Sequence, residues 1–216
     1  MRVGVFGGTF NPIHYAHLRS AEEVREAQQL DRILFIPSAT PPHKRQQGLV
    51  TAAHRLAMVS LAIAGNRHFR VSTIEVDRGG RSYSVDTVRA LQQRMPAAHF
   101  TFIMGIDAFR EIATWKDYRG LFSLCDLVVT SRPPREKSLT RAGIPVAVRD
   151  EFCYRPRIKV LEHRTGNRVI YQRISDLDIS ASAIRDHLSA GHSVRYLVPP
   201  AVERYIKRYR LYGRRV

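Results

Sequence analysis

Cysteines and long apolar runs are both scarce in this chain of 216 residues. The two cysteines, Cys125 and Cys153, lack the CxxC spacing of a metal or redox site, so we expect free, reduced thiols. The most apolar helical stretch, 56–64, is much shorter than the roughly 20 residues needed to cross a bilayer. Met1 and Arg2 lead directly into an apolar segment, without the pattern of a signal peptide. These features predict a cytoplasmic protein with no membrane partner.

Acidic residues are also scarce, with 19 Asp and Glu against 35 Lys and Arg, for a net charge of +16. Such a balance favours anionic partners, which include phosphorylated metabolites and nucleic acid. Part of the excess gathers near the C-terminus, at Arg204, Lys207, Arg208, Arg210, Arg214 and Arg215. No RNA-binding signature or series of interleaved aromatic residues accompanies these charges, so nucleic acid is not an expected partner.

Several common catalytic and nucleotide-binding patterns are missing as well. The sequence has no recognisable Ser-His-Asp or paired-carboxylate arrangement. Its glycine turn is not followed by the Gly-Lys-Ser/Thr of a Walker loop, and it does not match the GxGxxG dinucleotide fingerprint. Any phosphate chemistry must therefore depend on a different motif.

Residues 3–18, VGVFGGTFNPIHYAHL, contain that motif. The segment predicts a buried strand, a turn at Gly7 and Gly8, and then the start of a helix. Glycines let backbone N–H groups approach an anion closely, and a helix N-terminus adds a favourable dipole. The three-residue spacing of His14 and His17 places both on one helix face. The segment therefore predicts a phosphate site with two hydrogen-bonding or cationic side chains over it.

Strand and helix patterns alternate along the rest of the chain. The predicted strands are 3–6, 32–37, 69–76, 99–104, 126–130, 158–161 and 169–174. The predicted helices are 16–29, 51–64, 85–94, 180–190 and 199–209, with helical turns between 105 and 121. This order predicts a single α/β domain over 1–216, with a doubly wound, mostly parallel sheet and a C-terminal helical part from about 176. Ligands of such sheets bind beyond the carboxyl ends of the strands.

Residues 176–185, DLDISASAIR, predict a second phosphate-binding element. Ser180 is a suitable N-cap, Ser182 lies in the first turn, and Arg185 follows three residues later. The helix N–H groups and a guanidinium, which can hold two phosphate oxygens at once, both suit a phosphate group. An ordinary capped surface helix is the alternative for this segment alone.

The chain resembles the nucleotidyltransferase superfamily, and within it the bacterial nicotinate-nucleotide adenylyltransferases. The resemblance covers nearly the whole length and is carried by GGTFNPIHYAH, PPHK at 41–44, Glu75, RSYSVDT at 81–87, GID at 105–107, Trp115, SRP at 131–133, ISASAIR and VRYLVPPAVERYI at 194–206. Two positions depart from the family pattern: Asn11 stands where Asp is common, and Ala16 where Gly is common. Asn11 keeps the turn-forming ability without the charge, and neither change alters the expected reaction class.

The resemblance implies a Rossmann-like fold and adenylyl transfer from ATP to nicotinate mononucleotide, which gives nicotinate adenine dinucleotide and pyrophosphate in NAD synthesis. The implied catalytic residues are His14, His17 and Arg185. The implied ATP-binding residues are Gly7, Gly8, Thr9, Phe10, Gly105, Asp107, Arg132, Ile179, Ser180 and Ser182. The implied mononucleotide-binding residues are Lys44, Ser84, Thr87 and Trp115. Mg²⁺ is expected to arrive with the ATP phosphates, without a metal site of the protein's own.

Two other interpretations stay open at this point. A sister enzyme would use the same phosphate chemistry on nicotinamide mononucleotide or phosphopantetheine, although the SYSVDT segment and Trp115 favour nicotinate mononucleotide. A basic RNA-binding protein on the same scaffold, with an inactive histidine motif, is a more distant alternative. The sequence is compatible with a homo-oligomer and does not determine the oligomeric state.

Overall fold

The computed structural model describes residues 1–41, 48–131 and 141–213. Its strands are β1 (Arg2–Gly8), β2 (Arg32–Pro37), β3 (Phe69–Val71), β4 (His99–Gly105), β5 (Asp126–Thr130), β6 (Phe152–Arg155), β7 (Val160–His163) and β8 (Arg168–Gln172). Its α-helices are α1 (Tyr15–Ala27), α2 (Ala52–Ile63), α3 (Ile74–Arg78), α4 (Ser84–Arg94), α5 (Ile106–Arg110), α6 (Tyr118–Leu124), α7 (Ala181–Ser189) and α8 (Pro200–Arg208). Short 3₁₀ turns lie at Ile112–Thr114, Arg141–Gly143 and Val146–Glu151.

The strands form one sheet in the order β3-β2-β1-β4-β5-β8-β7-β6. Strand β1 lies inside the sheet and pairs in parallel with β2 on one side and β4 on the other. The pairings of β3, β5 and β8 extend the parallel part, and β7 and β6 add an antiparallel edge. The predicted doubly wound, mostly parallel sheet is therefore confirmed.

The core consists of two apolar clusters, one on each face of this sheet. Successive strand residues point to opposite faces, and accordingly Phe102 and Leu127 belong to one cluster while Ile103 and Val128 belong to the other. Residues of α4 and α6 join the first cluster, and residues of α1, α2, α7 and α8 join the second. Burial of both faces explains why the central strands are continuous apolar runs.

The structure corrects the predicted strand over 69–76. Strand β3 ends at Val71, and helix α3 follows. The Ser72 hydroxyl accepts from the Ile74 N–H at 3.4 Å, and the Thr73 hydroxyl donates to the Asp77 carboxylate at 2.7 Å. Short polar side chains that bond to nearby groups in this way favour helix starts and turns over strand pairing.

The other differences lie at the antiparallel edge. Strand β6 was not predicted, and β7 begins at Val160, two residues after the predicted start of a strand at 158. An edge strand of four residues has too few alternating apolar and polar positions for the two-residue period to be recognised in the sequence. The remaining predicted strands and helices agree with the structure within three residues at each end.

Both cysteines are free, as predicted. Cys125 is buried, and burial raises the pKa of its thiol to about 12. In the described ranges, no helix combines the length and the apolar character that a membrane span requires.

Candidate functional site

Two adjoining clefts open at the carboxyl edge of the parallel strands. The narrow cleft has a volume of about 320 Å³ and the wide cleft about 580 Å³. Their walls have five residues in common: Phe6, Gly8, Thr9, Gly105 and Ala108. These residues lie at or just beyond the ends of β1 and β4, where the chain switches from one side of the sheet to the other. Such a switch point is the usual ligand position in an open α/β sheet.

The wide cleft brings together the two predicted phosphate elements. From the first motif come Thr9, His14 and His17, and from the second come Ile179, Ser180, Ser182 and Arg185. These cleft-lining residues of the first motif are more than 160 positions in sequence from those of the second. Their meeting in one cleft is what a shared phosphate ligand requires.

His14 and His17 lie at the start of α1, with His14 in the N-cap position. Their rings stack with centroids 3.6 Å apart, and the His14 backbone N–H donates to Nδ1 of His17 at 3.3 Å. A ring nitrogen that accepts a hydrogen bond carries no proton, so a neutral His17 has its proton on Nε2. Nε2 can then donate to a phosphate oxygen in the wide cleft.

Helix α7 presents its N-terminus to the same cleft. The Ser180 hydroxyl caps the helix by accepting from the Ala183 N–H at 3.1 Å, and it lies 3.1 Å from the Ser182 hydroxyl. The predicted N-cap is thus confirmed. Arg185, on the next turn, donates from Nη1 to the backbone carbonyl of Asn11 at 2.9 Å. This bond uses one of five guanidinium N–H donors.

The Asn11 side chain connects the first motif to two other parts of the chain. It is buried, its Nδ2 donates to the Gly48 carbonyl at 2.9 Å, and its Oδ1 accepts from the Val50 N–H at 3.3 Å. The same Oδ1 accepts from the Tyr212 hydroxyl at 2.7 Å. An amide is required for this pattern, because a carboxylate could not donate to Gly48.

Arg55 of α2 holds backbone beside the clefts, and the sequence did not reveal it. Its side chain is almost fully buried and donates to three carbonyls, those of Thr9 at 2.9 Å, Ala39 at 3.0 Å and Val50 at 3.2 Å. Burial lowers the pKa of Arg55, against the smaller opposing influence of Tyr212 and Glu75. Arginine within a helix pattern usually predicts a solvent-exposed position, so no local signal distinguishes this one.

The narrow cleft contains the predicted pyridine-binding residues Ser84, Thr87 and Trp115. Trp115 is partly buried and packs edge-to-face on Phe102, with ring centroids 6.3 Å apart. Ser84 is the first residue of α4, so N–H groups of a helix N-terminus adjoin the cleft. Helix N-terminal amides of this kind bind anions.

Thr87 and Glu75 form a buried pair in the wall of the narrow cleft. The Thr87 hydroxyl donates to Glu75 Oε1 at 2.6 Å and accepts from Arg78 Nη2 at 3.2 Å. Burial raises the pKa of Glu75, although hydrogen bonds from Ser82 and Thr87 and the nearby arginines oppose the change. With its hydroxyl bonded to Glu75, Thr87 is suited to holding α3 and α4 together beside the ligand.

Lys116 is a second residue that the sequence analysis missed. It lines the narrow cleft next to Trp115, with Nζ 2.8 Å from Asp86 Oδ2 and 4.7 Å from the centre of the Tyr83 ring. It is the one lysine or arginine among the described residues of that wall. In the sequence, the one sign that Lys116 belongs to this cleft is its position directly after Trp115, the residue predicted to stack on the pyridine ring.

The other predicted ATP residues fall into three groups. Gly7 lines the narrow cleft, Gly8 and Gly105 line both clefts, and Phe10 lines the wide cleft with its ring buried 5.2 Å from that of His17. Asp107 is exposed in the first turn of α5, 3.7 Å from Arg110, and is absent from the described lining of either cleft. Arg132 lies outside the described residues, as does Lys44, which was predicted to bind the mononucleotide.

A family profile described as Cytidylyltransferase-like matches residues 5–187. A protein of Geobacter sulfurreducens named "Probable nicotinate-nucleotide adenylyltransferase" is 51% identical, over 99% of each chain. Two solved structures of Plasmodium falciparum nicotinic acid mononucleotide adenylyltransferase, complexed with APC and with NaAD, superpose with a TM-score of 0.73 at 17% identity. They cover 98% of this chain and 96% and 97% of their own, and at that identity they support the fold.

Proposed function

The chain belongs to the cytidylyltransferase-like family, among the nicotinate-nucleotide adenylyltransferases, and we propose that its site joins ATP to nicotinate mononucleotide. The products are nicotinate adenine dinucleotide and pyrophosphate, as a step of NAD biosynthesis. The main evidence for where each substrate binds is that the two clefts join. One cleft gathers both phosphate motifs, the other offers an aromatic ring and a helix N-terminus, and they meet at Gly8 and Thr9.

In this arrangement ATP occupies the wide cleft and the mononucleotide occupies the narrow one. A phosphate oxygen of the mononucleotide attacks the α-phosphorus of ATP, a new P–O bond forms, and the bond to pyrophosphate breaks. The nucleophile is already anionic at neutral pH, so no general base is needed. The protein's contribution is to align the reactants and to stabilise charge at the α-phosphate.

His14 and His17 donate hydrogen bonds to the reacting phosphate as its charge develops. Arg185 and the N-terminus of α7 near Ser180 and Ser182 hold the β- and γ-phosphates and then the leaving pyrophosphate. The guanidinium suits this role because it can bind two phosphate oxygens together. In this proposal Gly105, which lines both clefts, adjoins the adenosine, and Asp107, which is exposed two residues further along and outside the described lining of either cleft, accepts from the ribose hydroxyls.

The nicotinate ring stacks on Trp115, and its carboxylate meets the N-terminus of α4 at Ser84. Lys116 adds a positive charge on the same side of the cleft, 2.8 Å from Asp86. Backbone N–H groups and an ammonium are donors, so the part of the cleft formed by Ser84 and Lys116 favours a carboxylate over a carboxamide, whereas Glu75 and Glu111, which also line the cleft, do not contribute to this preference. This preference selects nicotinate over nicotinamide mononucleotide.

ATP enters as its Mg²⁺ complex in this proposal. Among the described residues that line the wide cleft, Asp176 is the one carboxylate, and it is exposed. Mg²⁺ prefers an octahedral set of oxygen ligands. Phosphate oxygens of ATP and water molecules can supply these six ligands, whereas the described wall of the wide cleft offers one exposed carboxylate. The supply of ATP also favours a cytoplasmic location for the enzyme.

The proposal is tested by pyrophosphate release from ATP and Mg²⁺ with three acceptors compared side by side: nicotinate mononucleotide, nicotinamide mononucleotide and phosphopantetheine. Selective turnover of nicotinate mononucleotide, with the dinucleotide product identified by mass, is the expected result. Equal kcat/KM for the two mononucleotides would mean that Ser84 and Lys116 do not select the carboxylate. Absence of turnover combined with salt-sensitive RNA binding would favour the RNA-binding alternative.

A further inference from the structure

The segment after α8 returns to the first phosphate motif, residues 3–18. Tyr212 lies four residues beyond the end of that helix, with a left-handed backbone (φ 65°) and a partly buried ring that packs on the second apolar cluster. Its hydroxyl donates to Asn11 Oδ1 at 2.7 Å, across 201 positions of sequence. Asn11 lies between the glycine turn and His14, so the C-terminal segment contacts the first phosphate motif itself.

The bond is made in a positively charged environment. Burial raises the pKa of Tyr212, and the nearby Arg185 and Arg55 oppose this change. With the net effect upward, the phenol keeps its proton at neutral pH and acts as a donor to Asn11.

Asn11 transmits this contact to the phosphate site. Its side chain is held at both polar atoms, at Nδ2 by Gly48 and at Oδ1 by Val50 and Tyr212. A side chain held at both ends of its amide also restricts the residue's own backbone carbonyl, which accepts from Arg185 Nη1 at 2.9 Å. The position of the guanidinium in the wide cleft therefore depends on where Asn11 is held.

We propose that Tyr212 is a positioning residue for adenylyl transfer: through Asn11, it orients Arg185 toward the triphosphate of ATP. The inference rests on the function proposed above. It assigns a role at the active site to a residue of the C-terminal segment, whereas the sequence motifs place the phosphate chemistry within residues 3–18 and 176–185.

The test is Tyr212→Phe, which removes the hydroxyl and keeps the ring. We expect KM for ATP to rise about five- to tenfold, the effect of losing one neutral hydrogen bond, while KM for nicotinate mononucleotide changes less than about twofold. Tyr209→Phe is the matched control, since Tyr209 is nearly half exposed and packs against Tyr205 and His54 away from both clefts. Its constants should match the parent enzyme.

A double-mutant cycle separates positioning from general stability. In an Arg185→Lys background, Tyr212→Phe should change KM for ATP less than about twofold, because the guanidinium that Tyr212 orients is then absent. An undiminished effect in that background would overturn the proposal. So would a Tyr212→Phe enzyme that melts earlier but keeps both KM values and kcat.

Direct binding distinguishes failure of this inference from failure of the proposed function. Calorimetry with a non-hydrolysable ATP analogue needs no acceptor, so it reports on Arg185 whichever acceptor is used. Weaker binding to Tyr212→Phe, with Tyr209→Phe unchanged, supports the positioning role even if another acceptor proves correct. If both variants bound the analogue as tightly as the parent enzyme does, the positioning role would be overturned and the proposed reaction would be unaffected.

Discussion

At the scale of single residues, the clearest prediction concerns His17. Its Nδ1 accepts from the His14 N–H, which leaves the proton of a neutral ring on Nε2, and the residue lines the wide cleft. Replacement by alanine removes one donor to the transition state. We expect kcat to fall roughly 10²- to 10³-fold in an enzyme that remains folded.

The matched control for that experiment is His99→Ala. His99 is exposed and begins β4, at the opposite edge of the sheet from both clefts. Its kcat should equal the parental value in steady-state assays at saturating substrates. A folded His17→Ala enzyme with unchanged kcat would remove His17 from the catalytic residues.

Trp115 gives a direct optical test of the pyridine site, because it is the chain's single tryptophan. Nicotinate mononucleotide should quench its fluorescence saturably, and Trp115→Ala should raise KM for the mononucleotide roughly tenfold or more through loss of stacking and buried area. KM for ATP should stay within about twofold. The opposite pattern, with ATP affected and the mononucleotide unaffected, would exchange the assignments of the two clefts.

Glu75 predicts a pH dependence of stability. Burial raises its pKa above the ordinary value of 4.5, so the folded chain keeps a proton that the unfolded chain has already released. This contribution to stability is complete below pH 4.5 and is lost as pH rises through the folded-state pKa. Glu75→Gln removes the titration and retains an oxygen that can accept from Thr87.

Measured by urea unfolding, the stability of Glu75→Gln relative to the parent should therefore rise with pH from 4.5 upward. Glu162→Gln is a suitable comparison, since Glu162 lies on β7 and pairs with Arg155 at the surface. It should not show this rise. A relative stability of Glu75→Gln that falls with pH would mean that the carboxylate form is the stabilising one.

At the scale of elements, two capped helices offer a paired experiment. Ser180 caps α7 at the wide cleft, and Thr51 caps α2 by accepting from the His54 N–H at 3.4 Å. Replacing either with alanine should lower the free energy of unfolding by about 1 kcal/mol. Since the α7 N-terminus is assigned to the triphosphate, Ser180→Ala should in addition raise KM for ATP, and Thr51→Ala should not. A rise in both would indicate loss of stability as the common cause.

Elements with strong local signals were predictable from the sequence. The apolar run before Gly7 predicted β1, and Ser180 followed by helical periodicity predicted α7, because each depends on residues close in sequence. Helix α3 was missed because alternating apolar residues at Ile74 and Val76 resemble a strand. The side-chain bonds of Ser72 and Thr73 that end β3 are visible only in the structure.

The candidate site shows the same division. Its phosphate motifs could be recognised in the sequence, whereas the residues that hold them in place could not. The contacts of Arg55 with Thr9 and of Tyr212 with Asn11 join segments 46 and 201 residues apart. Their geometry depends on the packing of α2 and of the C-terminal segment against the sheet. No local pattern encodes it.

At the scale of the whole molecule, the net charge of +16 bears on substrate capture. Both proposed substrates are anions, and a positive field accelerates their encounter with the protein. Salt screens that field, with a Debye length of about 10 Å at 0.1 M. The second-order rate constant for binding of nicotinate mononucleotide, followed by stopped-flow fluorescence of Trp115, should therefore decrease as salt is raised.

Between about 20 and about 300 mM potassium chloride we expect that rate constant to fall several-fold. The value of kcat at saturating substrates should change much less, because the reacting groups are already in contact within the clefts. A parallel loss of kcat and of the association rate would instead indicate that salt perturbs the folded site. A salt-independent association rate would mean that the clefts' own short-range contacts control capture, and that the distant basic residues of α8, such as Arg204 and Lys207, contribute nothing to it.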